Sequence, residues 1–341
     1  MSKRFLVTGG AGFIGSNYVS RLLRRGEQVH IYDNLSRHGA AKNLAWLEEQ
    51  FGKDAFQLTT ADIRDASAIA AAAHNVDVIV HLAAQVAVTT SVTDPRPDFE
   101  INAQGTFNVL EAARAAGTQP IVVYASTNKV YGGMEDVRVV EEAERYRYAD
   151  YPDGISEAMP LDFHSPYGCS KGSGDQYVRD YHRIYDLPTV VMRQSCIYGP
   201  RQFGVEDQGW VAWFMIAAIT GKPITIYGDG KQVRDVLFVE DLLDAYDHAI
   251  EHIGQAAGSV FNLGGGPANT ISIWTEFGPI IEHLAHKAIP VGRGDWRPGD
   301  QKIYVSDIGK AARILEWKPR YSVQEGMQCL FDWVKSNRQL F

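Results

Sequence analysis

The stretch Thr8–Gly15, TGGAGFIG, follows the apolar run RFLVT and opens a helical pattern at Phe13. Its glycines, Gly9, Gly12 and Gly15, stand at G-x-x-G-x-x-G spacing. Residues without a Cβ at a strand-to-helix turn let backbone amides and a helix N-terminus approach a pyrophosphate. Tight packing of a turn would use the same residues, so the motif needs a second feature. Asp33 supplies it, ending the second strand QVHIYD about 20 residues on, where an acid hydrogen-bonds an adenosine ribose.

Working outward, apolar runs alternate with helical patterns: a helix near Ala40, FQLTTAD, a helix from Ala66, VDVIVHLAA, a long helix to Ala116, then PIVVYAS. Continuous apolar strands separated by helices predict an α/β protein with a parallel, doubly wound sheet. The charged, tyrosine-rich stretch from Gly132 to about Ser165 is too long for an ordinary connection and reads as a flap or substrate-facing insertion. A helix from Pro166 and the strand PTVVMRQSCIYG follow. Beyond Pro200 the pattern loosens, which predicts a smaller lobe closing over the sheet's carboxyl edge. No linker or repeat separates the lobes, so interleaving is expected. Residues 1–199 would mainly form the dinucleotide lobe and 200–341 the substrate lobe, with part of 232–265 returning to the first.

Composition narrows the function classes. A net charge of −8 offers no field for nucleic acid or an anionic membrane. The most apolar later stretch, AIAAAAHNVDVIVHLAA, is cut by His74, Asn75, Asp77 and His81, and the N-terminal apolar run is too short for an export signal. Three scattered cysteines, Cys169, Cys196 and Cys329, match no disulfide or metal spacing. The expected compartment is the cytoplasm.

The expected cofactor cradle comes from four strand ends. Gly9, Gly12, Phe13, Ile14 and Gly15 form the turn. Asp33, Asn34, Ser36 and Arg37 follow the second strand; Asp33 favours NAD, while Arg37 leaves NADP open by offering a partner for a 2′-phosphate. Asp62, with Ile63, is read as ending the third strand, where it reaches adenine or caps a helix. Leu82, Ala83, Ala84 and Gln85 follow the fourth, the two alanines leaving room for a flat ligand. His81 reads as a packed core histidine.

In HSPYGCSKGSGDQY, Tyr167 and Lys171 lie one helical turn apart on one face. An adjacent ammonium would lower the phenol's pKa and make Tyr167 a general base toward an alcohol. Thr127, at the end of the VVYAS strand, adds a hydroxyl.

Glycine turn, Ser/Thr at a strand end, then Tyr-x-x-x-Lys resembles the extended short-chain dehydrogenase/reductase family, specifically its nucleotide-sugar epimerases and dehydratases. The resemblance runs the length of the chain. It implies a Rossmann lobe with tightly held NAD, a catalytic set of Thr127, Tyr167 and Lys171, Lys171 on the nicotinamide ribose, and a homodimer or homotetramer. GDGKQVRDVLFVEDL resembles the family's nucleotide-sugar loop, with Arg234 near the diphosphate. RPGD supplies Arg297 and Asp300 for phosphates and ribose.

Family dehydratases carry Thr-Asp-Glu where this chain has Thr127-Asn128-Lys129. Their acid pair moves protons, whereas Asn128 cannot titrate and Lys129 has the opposite charge, so dehydration is disfavoured. Redox at a sugar carbon remains: oxidation to a keto sugar, rotation, and hydride return to the other face. The motifs STNKVYG and RQSCIYGPRQFGVEDQGW resemble the family members that invert C2 of a CDP-activated deoxyhexose, CDP-paratose to CDP-tyvelose, in lipopolysaccharide O-antigen biosynthesis. The substrate set would then include Thr127, Asn128, Lys129, Cys196, Arg201, Gln202, Gln208, Arg234, Arg297 and Asp300. Many relatives have Asn where Cys196 stands, consistent with a differently seated sugar. Lys129 either snorkels to an acid of the 132–165 stretch or sits beside the substrate. Other readings are a 2-epimerase of CDP-glucose, a 4-epimerase of UDP-sugars, or a non-catalytic NAD-binding regulator, which would not need Tyr167 and Lys171.

Weaker signals carry plain explanations. HAIEH at His248–His252 has a zinc-signature form on a charged helix and no third ligand. Phe203 and Trp210 are either pocket aromatics against a nucleotide base or core residues at a helix start. His164 is either a capping neighbour or a pocket residue.

Overall fold

The structure, a computed structural model, describes residues 2–297 and 300–341; Pro298 and Gly299 of the RPGD motif lie outside the described residues. A parallel seven-stranded sheet forms the centre of the first of two units. Its strands are β1 Arg4–Thr8, β2 Gln28–Tyr32, β3 Gln57–Thr59, β4 Val78–His81 and β5 Ile121–Thr127, joined by Thr189–Gln194 and Ser259–Leu263. In space the order runs Ser259–Leu263, Thr189–Gln194, β5, β4, β1, β2, β3. The chain starts at β1 and winds first to one side, then to the other, so the order reverses between β1 and β4, where ligands of doubly wound sheets bind.

The strands are apolar on both faces because helices cover both. Leu6, Val7, Ile79 and Val80 are fully buried, each side chain contributing roughly 1.5–3 kcal/mol of transfer free energy. The helices are α1 Phe13–Arg24, α2 Ala40–Phe51, α3 Ala66–Ala72, α4 Val88–Thr93, α5 Pro95–Phe99, α6 Gly105–Ala115 and α7 Ser165–Tyr185, of which α4 and α5 pack on α7. A π-helical turn, Glu100–Gln104, joins α5 to α6.

The first unit comprises residues 1–130, 165–193 and 246–261, and the second 131–164, 194–245 and 262–341. The units interleave: residues 246–261 return to the first, while 131–164 and 194–199 belong to the second. The insertion after β5 belongs wholly to the second unit, which has its own core of Phe214, Met215, Ile226, Phe277, Met327 and Leu330 among others. No helix among the described residues is long and apolar enough to cross a membrane.

Candidate active site

The glycine turn has the close approaches its sequence predicts. Gly9 takes φ +68°, and a Cβ on it would stand 2.8 Å from the Ala83 nitrogen. A Cβ on Gly15 would stand 2.1 Å from the Gly9 carbonyl oxygen. Only glycine lets α1 start this close to β1 and β4. No acidic residue occupies the first turn of α1, and Arg21 and Arg24 lie in its last turn, so the N-terminus keeps its positive character for an anion. These features fit a dinucleotide pyrophosphate.

Asp33 follows β2, nearly buried, and accepts from the Ala11 amide at 2.9 Å and the Leu35 amide at 2.8 Å. Burial raises its pKa and these two bonds oppose the rise. Asn34, Ser36 and Arg37 are exposed; Asn34 Oδ1 accepts from the Ser36 hydroxyl at 2.7 Å. β3 ends at Thr59, so Asp62 lies in the following turn and does not end the strand. The N-cap of α3 is Asp65, while Asp62 binds Arg64 and Asn34. The Arg64 hydrogen bond holds the Asp62 carboxyl down to about 2. Leu82 and Ala83 donate their amides to Thr8 Oγ1, pinning β4 to β1.

Tyr167, Ser170 and Lys171 are buried on α7, and Thr127 is buried at the end of β5. The Thr127 hydroxyl donates to Asn128 Oδ1 at 3.4 Å and accepts from the Lys129 amide at 3.2 Å. Gly174 is what seats α7: a Cβ there would stand 2.4 Å from the Tyr124 hydroxyl. Lys171 Nζ donates to the Ala125 carbonyl at 2.7 Å and lies 4.3 Å from the centroid of the Tyr124 ring.

The expected lowering of the phenol by the ammonium is corrected here. Burial pushes Tyr167 up to about 12, with Thr127 and Arg37 opposing the rise and Asp98 adding to it. Burial likewise pulls Lys171 down to about 7 against the pull of Asp175 and Asp98. For both groups the loss of solvation outweighs the interactions that oppose it, and both are pushed toward their neutral forms. His81 is a core histidine, bonded to Thr8 at 2.7 Å and Thr106 at 3.1 Å, and burial lowers it to about 3.

The sequence profile of the family described as GDP-mannose 4,6 dehydratase matches residues 6–330. The chain belongs to this family, a branch of the extended short-chain dehydrogenases/reductases. It is 43% identical over 340 residues to a CDP-paratose 2-epimerase of Salmonella typhi, covering 98% of this chain and 99% of that one. It is 35% identical to a UDP-glucose 4-epimerase of Mycolicibacterium smegmatis, covering 98% and 100%. Among solved structures, the UDP-glucose 4-epimerase of Thermus thermophilus in complex with NAD superposes with a TM-score of 0.81 at 32% identity, covering 98% of this chain and 99% of that one.

The short-chain dehydrogenase/reductase scaffold divides the remaining candidates by unit. Asn128 and Lys129 stay with the first unit; Asn128 is buried and Lys129 half-buried. Cys196, Arg201, Gln202, Gln208, Arg234, Arg297 and Asp300 lie in the second. There Arg234 is buried and pairs with Asp300 at 2.7 Å, while Arg297 pairs with Asp207 at 3.1 Å and covers the Tyr227 ring at 3.9 Å. The side-chain oxygens of Gln202 and Gln208 are buried without a hydrogen-bond partner. Cys196 and Arg201 hold positive φ, +41° and +69°. Half-buried Trp210 packs on Phe214 and Phe277, and buried Phe203 on Trp333 and Phe341.

His164 pairs with Asp162 at 3.2 Å, and the side chain of Ser165 caps α7 by accepting from the Gly168 amide. His248 and His252 stack 6.0 Å apart, and no group of three or more potential metal ligands forms among the described residues. Sequence reasoning missed a polar layer under α7. It consists of the Asp175–Arg193 pair, at 2.8 Å and 2.9 Å, with Ser126 on Asp175, and a cluster around Asp98. The two acids are Asp98 in PRPDFEIN and Asp175 in KGSGDQY, whose largely polar neighbours gave no local signal of burial.

Proposed function

We propose that this chain is an NAD-dependent nucleotide-sugar epimerase that inverts C2 of a CDP-activated deoxyhexose, converting CDP-paratose to CDP-tyvelose. The observation that carries it is the strand end Thr127-Asn128-Lys129 beside an intact Tyr167 and Lys171. The set can move a hydroxyl proton but has no acid pair to expel a hydroxyl group. The 43% identity to a CDP-paratose 2-epimerase supports the choice of carbon and nucleotide.

When bound, NAD supplies a hydride acceptor and donor and a positive nicotinamide ring. Gly9, Gly12 and Gly15 hold its pyrophosphate at the N-terminus of α1, and Asp33 its adenosine ribose. Tyr167 takes the proton of the sugar hydroxyl and later returns it, and Thr127 orients the phenol. Lys171 holds the nicotinamide ribose and keeps a cation near the phenolate. Asn128 hydrogen-bonds the sugar without exchanging a proton. In the second unit, Arg234 and Arg297 are the residues for the diphosphate. The transient 2-keto sugar would turn over before the hydride returned to its opposite face, and the proton given back by Tyr167 would complete the inverted alcohol.

A second reading, a 4-epimerase of UDP-sugars, draws on the 35% identity to the mycobacterial enzyme. Proton NMR of CDP-paratose incubated with the protein and no added NAD separates them. A changed H1–H2 coupling of the anomeric signal supports C2 epimerisation. No change even with NAD, alongside conversion of a UDP-sugar, replaces the first reading with the second.

A further inference from the structure

The cluster around Asp98 has no part in the chemistry above. Asp98 is fully buried on α5 and accepts from Ser170 Oγ at 2.6 Å through one carboxylate oxygen. The other oxygen accepts from Asn102 Nδ2 and Gln85 Nε2, each at 3.1 Å. Asn102, in the π-helical turn, also donates to Ser170 Oγ at 3.1 Å, and its own oxygen accepts from the Gln85 amide at 2.9 Å. Among the described residues no arginine or lysine forms an ion pair with Asp98. A buried carboxylate satisfied only by neutral donors is costly to keep, and an amide would satisfy most of the same bonds.

Ser170 lies on α7 between Tyr167 and Lys171. Two carboxylates act on Lys171: Asp98 from α5 and Asp175 from its own helix, the latter already paired with Arg193. His81 faces it from β4. Asp98 and Arg37 act on Tyr167 with opposite sign. Asp98 is the charge common to both.

We propose that Asp98 is a positioning residue for the Tyr167–Lys171 pair: through Ser170 it anchors the turn of α7 that carries both, and it presents both with one shared negative charge. The inference rests on the epimerase reading only in taking Tyr167 as the base. Its electrostatic consequence is that proton loss from Tyr167 and from Lys171 is opposed by the same carboxylate.

The test is the titration of Tyr167 in the holoenzyme, followed by NMR with tyrosine labelled at Cζ and assigned with Tyr167→Phe. Asp98→Asn should lower the Tyr167 midpoint by about one unit and move the acidic limb of kcat the same way, since a nearby like charge is removed. Ser170→Ala should lower kcat without moving the midpoint, because the charge stays. An unmoved midpoint in Asp98→Asn overturns the proposal whatever happens to turnover. If that variant does not fold, Asp98→Ala, which leaves space for water, is read in the same way. The midpoint is measurable whether or not any sugar is epimerised, so failure of the functional reading is seen separately.

Discussion

The ammonium of Lys171 and the carbonyl oxygen of Ala125 are 2.7 Å apart, so the lysine is tied to the strand that ends in Thr127. Its pKa is lowered from the ordinary 10.5 to about 7 by burial. Between those values the unfolded chain binds more protons at this site than the folded one, and stability rises with pH across that window. Lys171→Met should flatten the rise. Urea unfolding at pH 6.5 and pH 9, wild type against variant, checks it; equal slopes reject the buried amine as its source.

Lys129 lies two residues beyond Thr127, where family dehydratases place an acid. If it holds the sugar, Lys129→Met should cut turnover about ten- to a hundredfold, the cost of a lost charge-assisted hydrogen bond. The melting temperature should stay within the wild-type range. Unchanged turnover would return Lys129 to the surface role of a snorkelling side chain.

His81, bonded to two threonines in the core, is lowered from 6.5 to about 3 by burial. It must stay neutral in the folded state, while in the unfolded chain it takes a proton below its ordinary value. Stability therefore falls as pH drops from 6.5 toward 3. His81→Gln should make unfolding free energy less steep between pH 6.5 and 4.5, though lower at neutrality. An unchanged acid slope would place the acid sensitivity elsewhere.

Gly174→Ala forces a methyl against the Tyr124 hydroxyl and should cost about 1–3 kcal/mol, the range for overpacking. Because α7 also carries Tyr167 and Lys171, kcat should fall too. Adding Tyr124→Phe removes the clashing oxygen and should restore much of both. Thermal melts and turnover of the two variants decide it, and a Gly174→Ala protein of full stability and activity would show that α7 seats on β5 by other contacts.

Local patterns were readable because each obeys a short-range rule. Strand alternation with helices, the glycine turn and the i, i+4 spacing of Tyr167 and Lys171 all follow from backbone geometry a few residues wide. The N-cap at Asp65 in place of Asp62 shows the limit: two acids stand three residues apart, and the start of α3 at Ala66, with the Ser67 and Ala68 amides on Asp65, selects between them. The insertion after Gly132 was legible as unusual, but its membership of the second unit depends on partners distant in the chain, such as Asn262 on Tyr131 and Glu276 on Arg145.

By itself the sequence determined the sheet plan, the glycine turn and the placement of Tyr167 and Lys171 one helical turn apart, since these rest on residue type and local spacing. The tertiary structure alone decided the electrostatics. Whether Tyr167 or Lys171 carries charge depends on how much water α7 excludes against β5 and on where Asp98 and Asp175 arrive from. Desolvation and charge act through space, and residues 98 and 171 become neighbours only when the chain folds.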